Sequence, residues 1–245
     1  MARTLRQMSA SSCYHIMIRG INKSNLFEDD EDRTRFLTTL KRFCKELDAQ
    51  LYAWCLMSNH VHLLLRIEDS PNSLMKKIGC SYVPYFNKKY ERCGHLFQDR
   101  YRSEAITDDS YLMAVARYIH MNPEKAGICP MEHYQWSSYR EYITGNVYCR
   151  TEFLLDILGG VEAYYRFMHE EDSREFLEDR LGLSESQAVK VAQTIIPEGL
   201  FELQHFSSKE RADRIRKLNA AGLTASQISR ITGLSKRIIY YAIKM

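Results

Sequence analysis

Apolar and polar positions along the first half of the chain predict four strands and three helices. The predicted strands, in which apolar residues alternate or run on, lie at residues 14–20, 50–58, 60–67 and 100–107. The predicted helices, in which apolar residues recur every three to four positions, lie at residues 29–48, 72–90 and 108–123. Proline lacks a backbone donor, so Pro84 predicts a kink or break in the second helix, and Pro123 predicts the end of the third.

The order strand-helix-strand-strand-helix-strand is that of the ferredoxin-like fold. This is an α+β architecture in which an antiparallel four-stranded sheet carries helices on one face. The third predicted helix follows the last strand and is therefore an addition to the fold. We expect an all-α region with a helix-turn-helix after this sheet.

The last forty residues carry the helix-turn-helix pattern. Ser207 with Glu210 and Thr224 with Gln227 have the spacing of capping boxes, and Gly233 suits the turn between the last two helices. The predicted shared core consists of Ile228, Ile231, Leu234, Ile238 and Ile239. A basic second helix after a glycine turn is the arrangement that enters the DNA major groove. A generic three-helix cap is the alternative.

Charge divides the chain into three segments. Residues 209–245 contain nine Lys and Arg against two Asp and Glu, whereas residues 151–208 contain four against twelve. A strongly basic segment favours a polyanionic partner such as nucleic acid. We therefore predict a first domain over residues 1–150, an acidic helical connector over 151–208 and a DNA-binding domain over 209–245.

Composition describes an ordinary globular protein that is expected in the cytoplasm. Hydrophobic residues make up 45% of the chain and charged residues 27%, and no run approaches the roughly 18 apolar residues of a membrane helix. The N-terminus has no apolar core of a secretory signal. The seven cysteines are odd in number and form no C-x-x-C pair, which argues against a zinc ribbon or a disulfide framework.

Two histidines alternate within the third predicted strand. His60 and His62 stand at positions i and i+2, so both imidazoles leave the sheet on the same face. Neighbouring imidazoles can chelate a divalent metal. From this pair alone, ordinary histidines on a half-exposed strand are the commoner case.

The third predicted helix offers a nucleophile and a further ligand. Tyr118 and Asn122 are one turn apart on one face. A tyrosine can attack an activated phosphodiester, and an amide oxygen can complete a metal site with two histidines. Tyr118 as a packing residue and Asn122 as a helix-terminal residue are the alternatives. Tyr111 is a competing nucleophile, whereas His120 lies off this face and is expected to be structural.

Four motifs around these residues carry a family resemblance. The first, "MSNHVHLLL", resembles the histidine-hydrophobe-histidine (HUH) signature of single-strand DNA nucleases. With "GHLFQDRYRSEAI", "RYIHMNPEKAG" and "YQWSSYREY", it resembles the REP-associated tyrosine transposases, relatives of the insertion-sequence-200-like transposases. The resemblance covers residues 14 to 142.

The resemblance implies a role for each candidate residue. His60 and His62 match the family's metal ligands, the metal being Mg²⁺ or Mn²⁺, and Tyr118 matches the nucleophile. It implies attack on single-stranded DNA, with a 5′-phosphotyrosine and a free 3′-OH. Asn122 stands where the insertion-sequence branch often has glutamine, so as third ligand it would have to reach the metal with a shorter side chain. Ala114 occupies the place of a second tyrosine, which indicates a single-tyrosine enzyme.

Basic and aromatic residues supply candidate DNA contacts. Around the predicted site these are Lys76, Lys77, Lys88, Lys89, Arg100 and Arg102. On the last helix they are Lys236, Arg237, Tyr240 and Tyr241. The expected partners are single-stranded or hairpin DNA and flanking duplex DNA, with no membrane. The family implies a bacterial, nucleoid-associated protein that acts as a monomer or a homodimer.

The leading hypothesis is a metal-dependent tyrosine transposase that nicks and rejoins single-stranded DNA. Two alternatives stay open: a rolling-circle initiator or relaxase, and a catalytically silent DNA-binding regulator. A hydrolytic metalloenzyme is less favoured, because no carboxylate base accompanies the histidines in the sequence.

Overall fold

The computed structural model describes residues 9, 11–145, 147–170 and 185–244. Its contacts divide the chain into two compact units, Met1–Glu178 and Asp179–Met245. The predicted connector over 151–208 is thus shared between the two units, and residues 171–184 of it lie outside the described residues. Each unit has its own apolar core.

The first unit is built on an antiparallel four-stranded sheet in the order β2-β3-β1-β4, as predicted for a ferredoxin-like fold. Its strands are β1 (Cys13–Arg19), β2 (Gln50–Leu56), β3 (His60–Arg66) and β4 (Arg102–Ala105). Its helices are α1 (Asp30–Glu46), α2 (Asn72–Lys89), α3 (Asp109–Lys125), α4 (Glu141–Thr144), α5 (Glu152–Leu158) and α6 (Val161–Met168).

The two faces of the sheet bury different cores. Tyr14, Ile16 and Ile18 of β1 face the same side as the odd-numbered residues of β3 and pack with α1 and α2. The opposite face packs with α3, and Leu64 of β3 belongs to this second core. Because side chains alternate along a strand, β3 directs its even-numbered residues, including both histidines, toward α3.

Both helices continue past their prolines. Helix α2 runs through Pro84 without a break, and α3 runs through Pro123 to Lys125, so the prediction that Pro123 ends α3 was wrong. A proline removes one intrahelical hydrogen bond, but buried residues on both sides of Pro84 and before Pro123 hold these helices against the sheet. Hydrogen bonding also resumes after Pro123, since the N–H of Ala126 donates to the carbonyl of Asn122 at 3.0 Å.

Helices α5 and α6 belong to the first unit. Leu154 of α5 and Tyr164 and Met168 of α6 are fully buried in the core beneath α3. The acidic residues Glu152, Asp156 and Glu162 therefore lie on helices with one apolar face.

The second unit is helical over its described residues. It comprises α7 (Glu185–Ile195), α8 (Ser208–Ala220), α9 (Ala225–Thr232) and α10 (Lys236–Lys244). Both predicted capping boxes are present, and Gly233 adopts the left-handed conformation with φ 73° between α9 and α10. Ile228, Ile231, Leu234 and Ile239 are buried as predicted, whereas Ile238 is 41% exposed. Successive positions on a helix are rotated by about 100°, and on α10 it is Ile239 that faces the core.

Glu141 joins three parts of the first unit through one buried carboxylate. Its Oε1 accepts the indole N–H of Trp54 at 3.0 Å. Its Oε2 accepts the backbone N–H groups of Val147, Tyr148 and Cys149 at 2.9, 2.7 and 2.8 Å. The "YQWSSYREY" motif therefore fixes the segment after α4 to strand β2.

We expect Glu141→Ala to lower the free energy of unfolding of the first unit by about 3 kcal/mol, because four donors lose their acceptor. Chemical denaturation followed by tryptophan fluorescence would measure the change. The matched control is Glu46→Ala, which removes an exposed carboxylate paired with Lys77 at 2.7 Å and should cost less than about 1 kcal/mol. Equal losses in the two variants would contradict the role of Glu141.

Candidate active site

His60 and His62 lie side by side on β3 and face α3. Their ring centroids are 5.1 Å apart and the ring planes are perpendicular. Both side chains are buried, His60 at 8% and His62 at 0% exposure. The prediction that the two imidazoles share the face beneath the tyrosine helix agrees with this arrangement.

A short connection between β2 and β3 fixes the His60 ring. The Nδ1 atom of His60 lies 2.7 Å from the side-chain oxygen of Asn59. An amide oxygen only accepts hydrogen bonds, so the proton of a neutral His60 is on Nδ1 and the lone pair is on Nε2. Asn59 is itself held by Gly20, whose N–H donates to the Asn59 carbonyl at 2.9 Å. This leaves Nε2 of His60 as the ring nitrogen that could bind a metal.

A third histidine, which the sequence reasoning missed, joins the pair. His15 on β1 is fully buried, and its Nε2 is 3.0 Å from Nδ1 of His62. The ring centroids are 5.3 Å apart and the ring planes differ by 29°. His15 alternates with Ile16 on β1, so its side chain lies on the face opposite the first core. The strand alternation was readable in the sequence, but the β1–β3 register that brings His15 to His62 was not.

Tyr118 of α3 lies against these histidines. Its ring centroid is 5.6 Å from that of His62 and 5.9 Å from that of His15, both edge to face. The side chain is 3% exposed, and Nζ of Lys125 lies 4.5 Å from the centre of its ring. The structure thus brings the predicted nucleophile to the predicted metal ligands.

Asn122 is one turn beyond Tyr118 and is buried. Its Nδ2 donates to the Tyr118 carbonyl at 2.9 Å, which orients the amide and leaves Oδ1 as the acceptor end. Two imidazole nitrogens and an amide oxygen form a donor set suited to a divalent cation with open positions. Within the described ranges no three His, Cys, Asp or Glu side chains form a metal-binding cluster. The candidate ligand set is therefore two histidines and one amide.

Arginines lie next to this site on the same face of the sheet. In the antiparallel register Arg19 of β1 is opposite His60, and Arg102 of β4 is opposite Met17. Burial lowers the pKa of Arg102, and the neighbouring positive charge of Arg19 lowers it further, while Asp99 opposes the shift. Two guanidinium groups close together favour an anion such as phosphate. Arg19 was also missed, for the same reason as His15.

Comparisons with known proteins identify the domain that carries this site. Residues 9–122 match the family model described as transposase, IS200 like. The part of the chain that carries the site is therefore similar to the IS200-like transposases. A match to a transposase family implies a DNA-cleaving activity.

Two relatives of the transposase domain agree with this family. A Haemophilus influenzae protein (strain ATCC 51907 / DSM 11121 / KW20 / Rd), described as a REP-associated tyrosine transposase, is 24% identical over 127 residues, covering 46% of this chain and 72% of that protein. A solved structure of a REP-associated tyrosine transposase bound to a REP hairpin superposes with a TM-score of 0.55. That match covers 72% of this chain and 96% of the other at 14% identity, which shows a shared fold.

The other predicted DNA contacts of the transposase domain are spread over two faces. Lys76, Lys77, Lys88 and Lys89 lie on α2, which packs on the sheet face opposite the histidines. Nζ of Lys89 lies 2.8, 2.8 and 3.0 Å from carboxylates of Asp29, Glu31 and Asp32, so this ammonium joins α2 to α1. Lys89, which was predicted to contact DNA, therefore has a structural role instead. Lys76, Lys88 and Arg100 are exposed.

His120 is structural, as predicted. It is fully buried between the hydroxyl of Ser138, 2.7 Å from Nε2, and that of Tyr164, 2.8 Å from Nδ1. Burial lowers its pKa from 6.5 to about 3. The imidazole is thus neutral at ordinary pH and fixes α3 from the side away from Tyr118.

In the second unit, the four predicted DNA contacts of α10 are exposed: Lys236, Arg237, Tyr240 and Tyr241. An open cleft between α8 and α10 adds further basic side chains to this surface: Lys209, Arg211 and Arg216. No helix among the described residues is long and apolar enough to cross a bilayer.

Proposed function

We propose that this chain is a single-tyrosine transposase that cleaves and rejoins single-stranded DNA through a covalent phosphotyrosine. The observation that carries the proposal is the contact between the ring of Tyr118 and His62, the second residue of the histidine pair. The proposal combines this nucleophile with two imidazole ligands on the sheet and an amide oxygen on the tyrosine helix. The IS200-like family match supports the same chemistry.

The cleavage step exchanges one phosphoester for another. The Tyr118 oxygen attacks the scissile phosphorus, an O–P bond forms, and the bond from phosphorus to O3′ breaks. The tyrosine proton ends on the departing O3′, which leaves a free 3′-OH and a 5′-phosphotyrosine. The reverse attack by a 3′-OH restores the phosphodiester and the free tyrosine.

Residues around Tyr118 prepare this step. His60, His62 and Asn122 are the side chains that would hold a divalent cation, Mg²⁺ or Mn²⁺. When bound, such a cation polarises the phosphate and neutralises developing charge. Arg19 and Arg102 supply positive charge for the DNA backbone beside His60. The Tyr118 ring is buried against His15 and His62, which restricts its orientation.

We propose hairpin DNA as the substrate, with flanking duplex bound by the second unit. A REP-associated tyrosine transposase of the same fold was solved with a REP hairpin. The exposed basic and aromatic residues of α10 follow a glycine turn, as in the recognition helix of a helix-turn-helix. The two units would then read the single-stranded and duplex parts of one site.

The test is to trap and map the covalent adduct. Wild-type protein is incubated with hairpin oligonucleotides labelled at the 5′ or the 3′ end, with Mg²⁺, Mn²⁺ or EDTA. A 5′-phosphotyrosine retains the DNA on the 3′ side of the cut, so only the 3′ label should stay with the denatured protein, and only when metal is present.

Trypsin then locates the tyrosine, because Arg117 separates the two candidates. Tyr118 falls in the peptide 118–125 and Tyr111 in the peptide 103–117. We expect the nucleotide mass on 118–125. Its appearance on 103–117 would move the nucleophile to Tyr111, and tight hairpin binding without any adduct would favour the silent regulator.

A further inference from the structure

His15 and His62 share one hydrogen bond, and its direction decides what His62 can do. The Nε2 atom of His15 is 3.0 Å from the Nδ1 atom of His62. If both imidazoles are neutral, one of these two nitrogens carries a proton and donates the hydrogen bond, and the other accepts it with its lone pair. If His15 donates, His62 has its proton on Nε2 and cannot bind a metal there. If His62 donates, its Nε2 carries the lone pair.

The neighbouring histidine indicates which direction fits the site. His60 donates from Nδ1 to Asn59 and therefore presents Nε2 as its basic atom. Because Nδ1 of His62 is engaged with His15, only Nε2 of His62 is left to bind a metal. A hydrogen bond from the remote ring nitrogen to a second group commonly selects the tautomer of a metal-binding histidine.

We propose that His15 is a positioning residue that accepts a hydrogen bond from the Nδ1–H group of His62. This hydrogen bond keeps the lone pair of His62 on Nε2, where it can bind a metal. This inference rests on the proposed function. His15 then has its own proton on Nδ1. Glu104, directly opposite His15 in the β1–β4 register, places a carboxylate on the same sheet face and favours this tautomer.

The relative position of the two rings explains why a histidine suits this position. With centroids 5.3 Å apart and an interplanar angle of 29°, the rings meet edge to edge along the line between the two nitrogens, so Nε2 of His15 is placed to accept a hydrogen bond from the Nδ1–H group of His62. His15 also contacts Tyr118 edge to face, at 5.9 Å between centroids. One fully buried side chain thus orients the predicted ligand and supports the predicted nucleophile.

The tautomers can be measured in the intact protein without metal. Long-range proton–nitrogen correlation spectra of the ¹⁵N-labelled chain distinguish the two neutral forms of each imidazole, and loss of a signal set in His62→Gln assigns that ring. We expect both His60 and His62 with the proton on Nδ1. A wild-type His62 protonated on Nε2 would overturn the proposal whatever the variants do.

Variants of His15 add a second readout. In His15→Leu we expect His62 to move to the Nε2-protonated form and the affinity for Mn²⁺, measured by electron paramagnetic resonance, to fall about 10- to 100-fold. His15→Gln restores an acceptor oxygen and should recover most of the affinity. The control His133→Leu removes an exposed histidine and should change neither readout.

The outcomes separate this inference from the proposed function. Unchanged Mn²⁺ affinity and His62 tautomer in folded His15→Leu would overturn the role of His15 while leaving the tyrosine mechanism intact. A wild type with the expected tautomers that binds no Mn²⁺ would instead overturn the metal chemistry, and with it the purpose assigned to His15.

Discussion

Tyr118→Phe is expected to abolish the covalent protein–DNA adduct, with a loss of about 1,000-fold or more in cleavage. The substitution removes only the hydroxyl that is proposed to attack phosphorus. The ring remains in place to contact His62 and His15, so binding of Mn²⁺ and of the hairpin should stay near wild type. Adduct formation on a denaturing gel and hairpin affinity by fluorescence anisotropy would measure the two effects separately.

The matched control is Tyr111→Phe on the same helix. Tyr111 is partly buried and lies two turns before Tyr118, about 10.5 Å away by helical rise. This variant should keep the wild-type adduct level. Loss of the adduct in Tyr111→Phe with retention in Tyr118→Phe would reverse the assignment of the nucleophile.

Strand alternation and element order were enough to predict where the site's main side chains point. The sequence of predicted elements implied the ferredoxin-like sheet, and the spacing of His60 and His62 implied one shared face. Tyr118 and Asn122 followed from the helical repeat of α3. These properties are local, because each depends on residues two to four positions apart.

His15 and Arg19 depend on longer-range information. Their contacts require the β1–β3 register, in which His15 is opposite Leu64 and Arg19 is opposite His60. A shift of one residue would turn β1 over and direct both side chains into the first core. No pattern in β1 by itself distinguishes these cases, although the ferredoxin-like strand order already pairs β1 with β3.

The charge of a residue predicted its location less well than its place in the strand or helix repeat. Lys89 and Arg102 are both basic residues near the motifs, but Lys89 contacts three carboxylates of the α1 region while Arg102 lies on the histidine face. Which face a helix covers is decided by tertiary packing. The sequence therefore did not predict on which face of the sheet each of these basic residues lies.

Acidification is expected to destabilise the first unit through His120. Burial lowers the pKa of this imidazole in the folded protein to about 3, from 6.5. Between these two values the unfolded chain binds a proton that the folded protein does not. The stability contributed by neutral His120 is therefore complete above about pH 6.5 and is lost progressively as the pH falls toward 3.

The expected size follows from the two pKa values. At pH 5 the loss from His120 alone is about 2 kcal/mol, and it approaches about 5 kcal/mol below pH 3. His120→Gln removes the titrating group, so its unfolding free energy should depend less on pH although it is lower at pH 8. Between pH 8 and pH 5 the wild type should lose about 2 kcal/mol more than this variant.

Denaturant unfolding of the intact chain at the two pH values would measure this difference. The chain has two tryptophans, Trp54 and Trp136, and both lie in the first unit, so their fluorescence follows that unit alone.

His169→Gln provides a control, because His169 contributes a pH dependence of stability with the opposite sign. A hydrogen bond to the Tyr165 carbonyl, with Glu132 nearby, raises the pKa of His169, so its contribution is lost as the pH rises. Parallel pH dependences in wild type and His120→Gln would show that His120 is not the group that makes the fold sensitive to acid.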